Sequence, residues 1–193
     1  NLSNKEIFDL AFKTVLDIQG KGSGFDVASA IYGKTLYFVT GGKVIEPLDV
    51  KELPLVVGYS GIKADTVTLI NKVKETFSNK QSRLEEIYSA IESLIDQAKD
   101  ALVAMDWEKF GELMNENQNY LSELGVSIDK LDNMIQSSLA TGAYGAKLSG
   151  AGGGDCMIAL APEDKIKSVE DEITKAGGEV LSVKTNAQGA RVE

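Results

Sequence analysis

Residues 144–183 read YGAKLSGAGGGDCMIALAPEDKIKSVEDEITKAGGEVLSV. The strand-like piece YGAKLS runs into a glycine cluster, and a second strand-like piece, CMIALAP, follows it. EDKIKSVEDEITK has helical character and stops at Gly177–Gly178. EVLSV then reads as a further strand. Strand, helix, strand in that order predicts a split βαβ element. Outward toward the amino terminus, residues 66–142 read as a nearly continuous run of helices. In SRLEEIYSAIESLIDQAKDALVAM the apolar residues Leu84, Ile87, Ile91, Leu94, Ile95, Ala98 and Leu102 recur at three and four spacings. Asp106 and Ser127 read as N-caps, Gly125 and Gly142 as helix stops. The run predicts a helical layer covering a sheet, with Met105, Met114 and Met134 as core filler.

Further upstream, NKEIFDLAFKTVLDI places Ile7, Leu10, Ala11, Thr14, Val15 and Ile18 at helical spacing, with Asn4 as cap. A glycine-rich turn, QGKGSGFD, and a short helix, FDVASAIYG, follow. KTLYFVTGGKVIEPLDV predicts a hairpin about Gly41–Gly42. LPLVVGYS is an apolar run suited to a buried strand. With three prolines and no break in composition, residues 1–193 are expected to form one α+β domain.

Composition narrows the chemistry. The net charge is -9 and the only arginines are Arg83 and Arg191, which argues against a nucleic-acid partner. There is no histidine, so a general base must be Asp, Glu, Lys, Tyr or Cys. Cys156 is the single cysteine; it permits no intrachain disulfide, no cysteine-rich zinc site, and fits a reducing cytoplasm. No apolar run is long enough to span a bilayer.

Two glycine-rich places carry candidate chemistry. In the first, residues 20–26 (GKGSGFD), glycines let the backbone approach a ligand closely and Ser23 offers a hydroxyl. Asp26 stands at the mouth of a helix, where it reads either as a functional carboxylate or as a helix cap. The second, residues 147–155 (KLSGAGGGD), has four glycines within five residues. Successive amides there can form a concave anion nest, or the cluster can be a tight hairpin turn. The pattern is not a Walker loop, because no G-K-[ST] follows it.

KLSGAGGGDCMIAL resembles the C-terminal glycine motif of the GHMP kinases, and GSGFDVASAIYG is similar to that family's S-G-x-D segment. The resemblance covers essentially the whole chain. It implies an α+β fold with a ferredoxin-like split βαβ sheet under a helical layer. It also implies phosphoryl transfer from ATP with Mg²⁺. Asp26 would be the catalytic carboxylate, with Ser23 and Gly24 lining the same pocket. Lys147, Ser149, Gly150, Ala151, Gly152 and Gly153 would hold substrate or nucleotide phosphate, and no metal site is built by protein residues alone. The G-S-G-F-D-V-A form and the Asp155–Cys156 pair are similar to phosphomevalonate kinases of isoprenoid biosynthesis, whereas LMNENQNYLSELGVS resembles archaeal-type mevalonate kinases. The resemblance is taken to imply a phosphomevalonate kinase forming mevalonate 5-diphosphate, so the expected acceptor is the small anion phosphomevalonate, with mevalonate as the alternative. The family's P-x-x-x-G-L-G-S-S-A phosphate segment has no counterpart here. The chain thus reads as a C-terminal portion without the N-terminal ATP-binding domain. It is expected to be inactive alone and to meet that domain, or a partner chain, through an exposed apolar surface. A non-catalytic interaction module is the other class the sequence allows.

Overall fold

Ser3 accepts a hydrogen bond from the Glu6 amide while the Glu6 carboxylate accepts one from the Ser3 amide. This capping box starts helix α1 (Asn4–Gln19) one residue before the expected cap, Asn4. The computed structural model describes residues 2–50 and 52–191 and divides the chain into two compact units, residues 1–53 with 184–193 and residues 54–183.

The first unit holds α1, helix α2 (Phe25–Tyr32) and the antiparallel hairpin β1 (Thr35–Val39) with β2 (Val44–Leu48). The hairpin closes through Gly41 and Gly42, both at positive φ, as expected from the sequence. The buried side of α1 is not the expected one. Phe8 is wholly buried and Ala11 and Phe12 pack beside it, against Ala28 and Ile31. Ile7, Leu10 and Ile18 are 39%, 59% and 79% exposed. Residues beyond Val183 return to α2: the Lys34 amide donates to Ala187 at 2.7 Å and the Ala190 amide to Ala30 at 2.9 Å.

The second unit is built on strands β3 (Leu55–Tyr59), β4 (Gly145–Ser149), β5 (Cys156–Leu160) and β6 (Glu179–Leu181), ordered β4-β5-β3-β6 and antiparallel throughout. Between β3 and β4 run helices α3 (Thr66–Thr76), α4 (Gln81–Val103), α5 (Trp107–Glu123) and α6 (Asp129–Ala140); α7 (Ile166–Lys175) joins β5 to β6. Since β3 lies between β5 and β6, this is the ferredoxin-like split βαβ arrangement. Strand alternation sends Val56, Ala146, Leu148, Met157 and Ala159 to one face. There they meet Leu131, Met134, Ile135, Val169 and Ile173 of α6 and α7.

The expected caps are partly realised. Asp106 accepts from the Lys109 amide, and Gly125 and Gly142 follow helix ends at positive φ. Ser127 does not cap α6; it donates to Asp132 at 2.5 Å, and Ile128 takes the cap position. Met114 and Met134 are core residues, but Met105 is 52% exposed.

Helix α5 lies against the outer edge of β4 so closely that two glycines are required. A β-carbon on Gly111 would stand 2.4 Å from the Tyr144 carbonyl carbon, and one on Gly145 would stand 2.2 Å from the Gly111 oxygen. Alanine is the better helix former by about 1 kcal/mol. Gly111→Ala is nevertheless expected to destabilise the chain by about 1–3 kcal/mol, because the helix must back away from the strand. Urea unfolding checks this. A variant as stable as the wild type would show that the contact has slack.

Candidate functional site

In the first unit the turn after α1 is shaped by aromatic rings. Phe8 and Phe12 stack at 5.5 Å between centroids, and Phe8 meets Phe38 edge-on at 6.2 Å. A β-carbon on Gly24 would stand 2.9 Å from the Phe12 ring, and one on Gly42 would stand 2.3 Å from the Phe8 ring. Both glycines are thus needed to let the rings in. The Gly41 amide donates to the Ser23 carbonyl at 2.9 Å, tying the hairpin tip to the turn. Gly24, at φ 87°, takes the cap position of α2, and its carbonyl accepts the Ala28 amide.

Asp26 is therefore not the helix cap. It sits in the first turn of α2, exposed, and its carboxylate has no hydrogen-bond or ionic partner among the described residues. Lys21 does not pair with it. The Ser23 hydroxyl faces the Phe25 amide at 3.5 Å.

In the second unit the glycine cluster forms the β4–β5 turn. Gly150, Gly152, Gly153 and Gly154 all have positive φ, as does Asp155 at 53°. Three of the glycines answer to neighbours. A β-carbon would stand 2.2 Å from the Val126 oxygen at Gly152, 2.7 Å from Leu69 at Gly153 and 2.4 Å from the Ile62 oxygen at Gly154. Only at Gly150 would it meet nothing within 4 Å. Packing thus accounts for three of the four glycines in the cluster. The Gly153 amide donates to Val126 at 2.7 Å, which removes it from the expected anion donors. The amides of Gly150, Ala151 and Gly152 donate to no acceptor among the described residues and remain candidates.

Asp155 anchors the turn. Its amide donates to Ile62 at 2.7 Å and its carbonyl accepts from Ser60 at 2.8 Å. Its carboxylate accepts from Lys63 at 3.1 Å and from the Ala64 amide at 3.4 Å. The Lys147 ammonium donates to the Leu148 carbonyl at 2.7 Å. Ser149 is half-buried at the end of β4.

The sequence reading missed Asn115 and Gln118. Asn115 Oδ1 accepts the Ala146 amide and Gln118 Oε1 the Leu148 amide, each at 2.9 Å. The available signal was two carboxamides three residues apart within an otherwise apolar helical face.

Comparison with known proteins follows the same lines. Residues 98–179 match the family described as GHMP kinases C terminal. The mevalonate kinase of Pyrococcus horikoshii is 40% identical over all of this chain, which spans 58% of that relative's length. Among solved structures, L. major mevalonate kinase in complex with R-mevalonate superposes with a TM-score of 0.86 at 27% identity, over 98% of this chain and 60% of that one. Streptococcus pneumoniae phosphomevalonate kinase, in complex with phosphomevalonate and AMPPNP, gives 0.82 at 19% identity, over 95% and 62%. That last likeness concerns the fold alone. No helix among the described residues is long and apolar enough to cross a membrane. The split βαβ sheet, its helical layer and the family match agree: the chain carries a GHMP kinase C-terminal domain.

Proposed function

We propose that this chain is part of an ATP-dependent kinase of the mevalonate type, in which Asp26 serves the acceptor hydroxyl. The observation that carries the reading is the free state of that carboxylate. The cap position it would fill as a structural residue belongs to Gly24, and Asp26 is exposed without a partner. In the proposed reaction the acceptor oxygen forms a bond to the γ-phosphorus of MgATP as the bond to the ADP oxygen breaks. Asp26 accepts the proton that leaves the hydroxyl. Ser23 and Gly24 line its turn. Mg²⁺ arrives as part of the nucleotide substrate; among the described residues no cluster of three or more metal-binding side chains exists. Gly150, Ala151 and Gly152 offer unused amides to a phosphate, with Ser149 beside them, whereas the Gly153 amide serves the turn itself.

Identity with named mevalonate kinases supports the hydroxyl acceptor over the phosphomevalonate kinases favoured by the sequence motifs. In favour of the second acceptor stand G-S-G-F-D-V-A and Asp155–Cys156. With phosphomevalonate the acceptor is already an anion, and Asp26 would orient it rather than deprotonate it. The chain spans 58% of its relative's length and leaves an apolar stripe of α1 exposed. Both support a reading in which the rest of the kinase covers that stripe, and in which the 193-residue chain alone turns over no ATP.

Assays with each acceptor test this reading. A full-length kinase carrying this segment is expected to release ADP with mevalonate; turnover with phosphomevalonate only would move the chain to the other branch. In that kinase Asp26→Asn is expected to lower kcat by about 10²-fold or more. A near wild-type rate would remove Asp26 from the reaction. Clear turnover by the isolated chain would overturn the need for further protein.

Desolvation pushes the Lys147 ammonium down to about 8. An unfolded lysine titrates near ~10.4, so between these values the unfolded chain binds more protons and folding gains stability as pH rises. Lys147→Met removes this dependence. Its thermal midpoint, relative to wild type, is expected to be highest below pH ~8 and to lose that advantage by pH ~10. Scanning calorimetry at the two pH values checks this; an offset independent of pH would mean the amine is well solvated.

A further inference from the structure

Strand β4 is an edge strand, and its outward amides need acceptors that no neighbouring strand supplies. Helix α5 supplies them with side chains. Asn115 takes the Ala146 amide, and its Nδ2 donates to the Tyr144 carbonyl at 3.2 Å. Gln118 takes the Leu148 amide, two residues before the glycine turn begins.

Gln118 differs from Asn115 in what its other end holds. The Gln118 Nε2 donates to Ser122 Oγ at 3.3 Å, to Ser127 Oγ at 3.2 Å and to Asp132 Oδ1 at 3.5 Å. Ser127 in turn donates to Asp132 at 2.5 Å. These groups fix the connection between α5 and α6. Val126, next to Ser127, directs its carbonyl at the glycine turn, accepting the Gly153 amide at 2.7 Å. The same oxygen fills the space of a Gly152 side chain. One buried carboxamide, 7% exposed, thus joins the strand that enters the turn to the loop that grips it from the other side.

We infer that Gln118 is a positioning residue for the glycine turn: it holds Leu148 and the Val126 carbonyl in one register, so that the Gly150 and Ala151 amides point together. The inference deepens the proposed function and rests on its phosphate reading of the turn. The bond pattern fixes the carboxamide's orientation. The oxygen must face the Leu148 donor, and the nitrogen must face Asp132, which as a carboxylate only accepts.

That polarity makes the test specific. Gln118→Glu keeps an acceptor for Leu148 but sets a second carboxylate against Asp132. Adding Asp132→Asn returns a donor to the pair, so the double variant restores the connection with the roles exchanged. Amide hydrogen exchange on the 193-residue chain reads the result directly. Gln118→Glu is expected to speed exchange at Gly153 about tenfold or more, with the Val56 amide, in the central β3–β5 ladder, as reference for global opening. The double variant is expected to return Gly153 toward wild type. Unchanged exchange at Gly153, an equal rise at Val56, or no rescue by Asp132→Asn would each overturn the inference. Pyrophosphate, titrated into ¹⁵N-labelled chain, forms the second arm. Wild-type Gly150 and Ala151 amides are expected to shift, with a dissociation constant raised about tenfold by Gln118→Glu and restored in the double variant. If pyrophosphate moves neither amide in the wild type, the phosphate reading fails while the exchange result still decides the role of Gln118. Binding unaltered by Gln118→Glu would confine Gln118 to supporting the fold.

Discussion

The Val126 carbonyl oxygen stands 2.2 Å from where a Gly152 side chain would begin, and it holds the Gly153 amide at 2.7 Å. On the other side the Ile62 oxygen stands in the same relation to Gly154 and accepts the Asp155 amide. The turn is thus pressed between two backbone carbonyls. Each satisfies an amide of the turn, and each excludes any residue but glycine from the neighbouring position. Buried backbone groups must be paired, so this gripping is obligatory for a loop lodged between helix connections. A consequence is that conformational choice ends early. With Gly153 and Asp155 bonded from the two sides, the amides of Gly150, Ala151, Gly152 and Gly154 donate to no acceptor among the described residues.

The same constraint explains what the sequence could and could not disclose. Periodicity places α3 to α6 within a residue or two of their observed ends, because each needs an apolar stripe for the sheet. The split βαβ element is legible at residues 144–183, and the structure places β3 between its two strands. The glycine cluster is visible, but its cause is not. Three of its glycines answer to Val126, Leu69 and Ile62, residues far off in the chain whose approach no local pattern announces. Asn115 and Gln118 escape for the same reason: a carboxamide on a helix reads as surface until the strand edge it serves is in place. Ser127 resembles a cap by type and position, yet its hydroxyl is drawn to Asp132. Asp26 shows the converse. Local chemistry favours a cap, and the structure gives that place to Gly24 because the Phe12 ring leaves no room for a side chain there.

The acceptor is the least legible feature. Two short segments, G-S-G-F-D-V-A and Asp155–Cys156, lean one way, and identity over the whole chain leans the other. The structure gives Asp155 a local occupation, binding Lys63 and the Ala64 amide, which accounts for an acidic residue there without reference to any substrate. Half of the motif evidence for a phosphorylated acceptor is thereby weakened.

Helix α1 carries the argument one step further. Its inward side is aromatic, because Gly24 and Gly42 make room for Phe8 and Phe12. The aliphatic residues Ile7, Leu10 and Ile18 are then left on an adjoining stripe, with the charged residues Lys5, Glu6, Asp9, Lys13 and Asp17 confined to the remainder. At 3.6 residues per turn the apolar arc covers about 200° of the helix, more than one packing contact uses. Each Leu or Ile left in water forgoes about 1.5–3 kcal/mol of burial. A helix of this kind is suited to lie between two surfaces. The first is the small core around Ala28 and Ile31. Ile7, Leu10 and Ile18 form the second, which the described residues leave open.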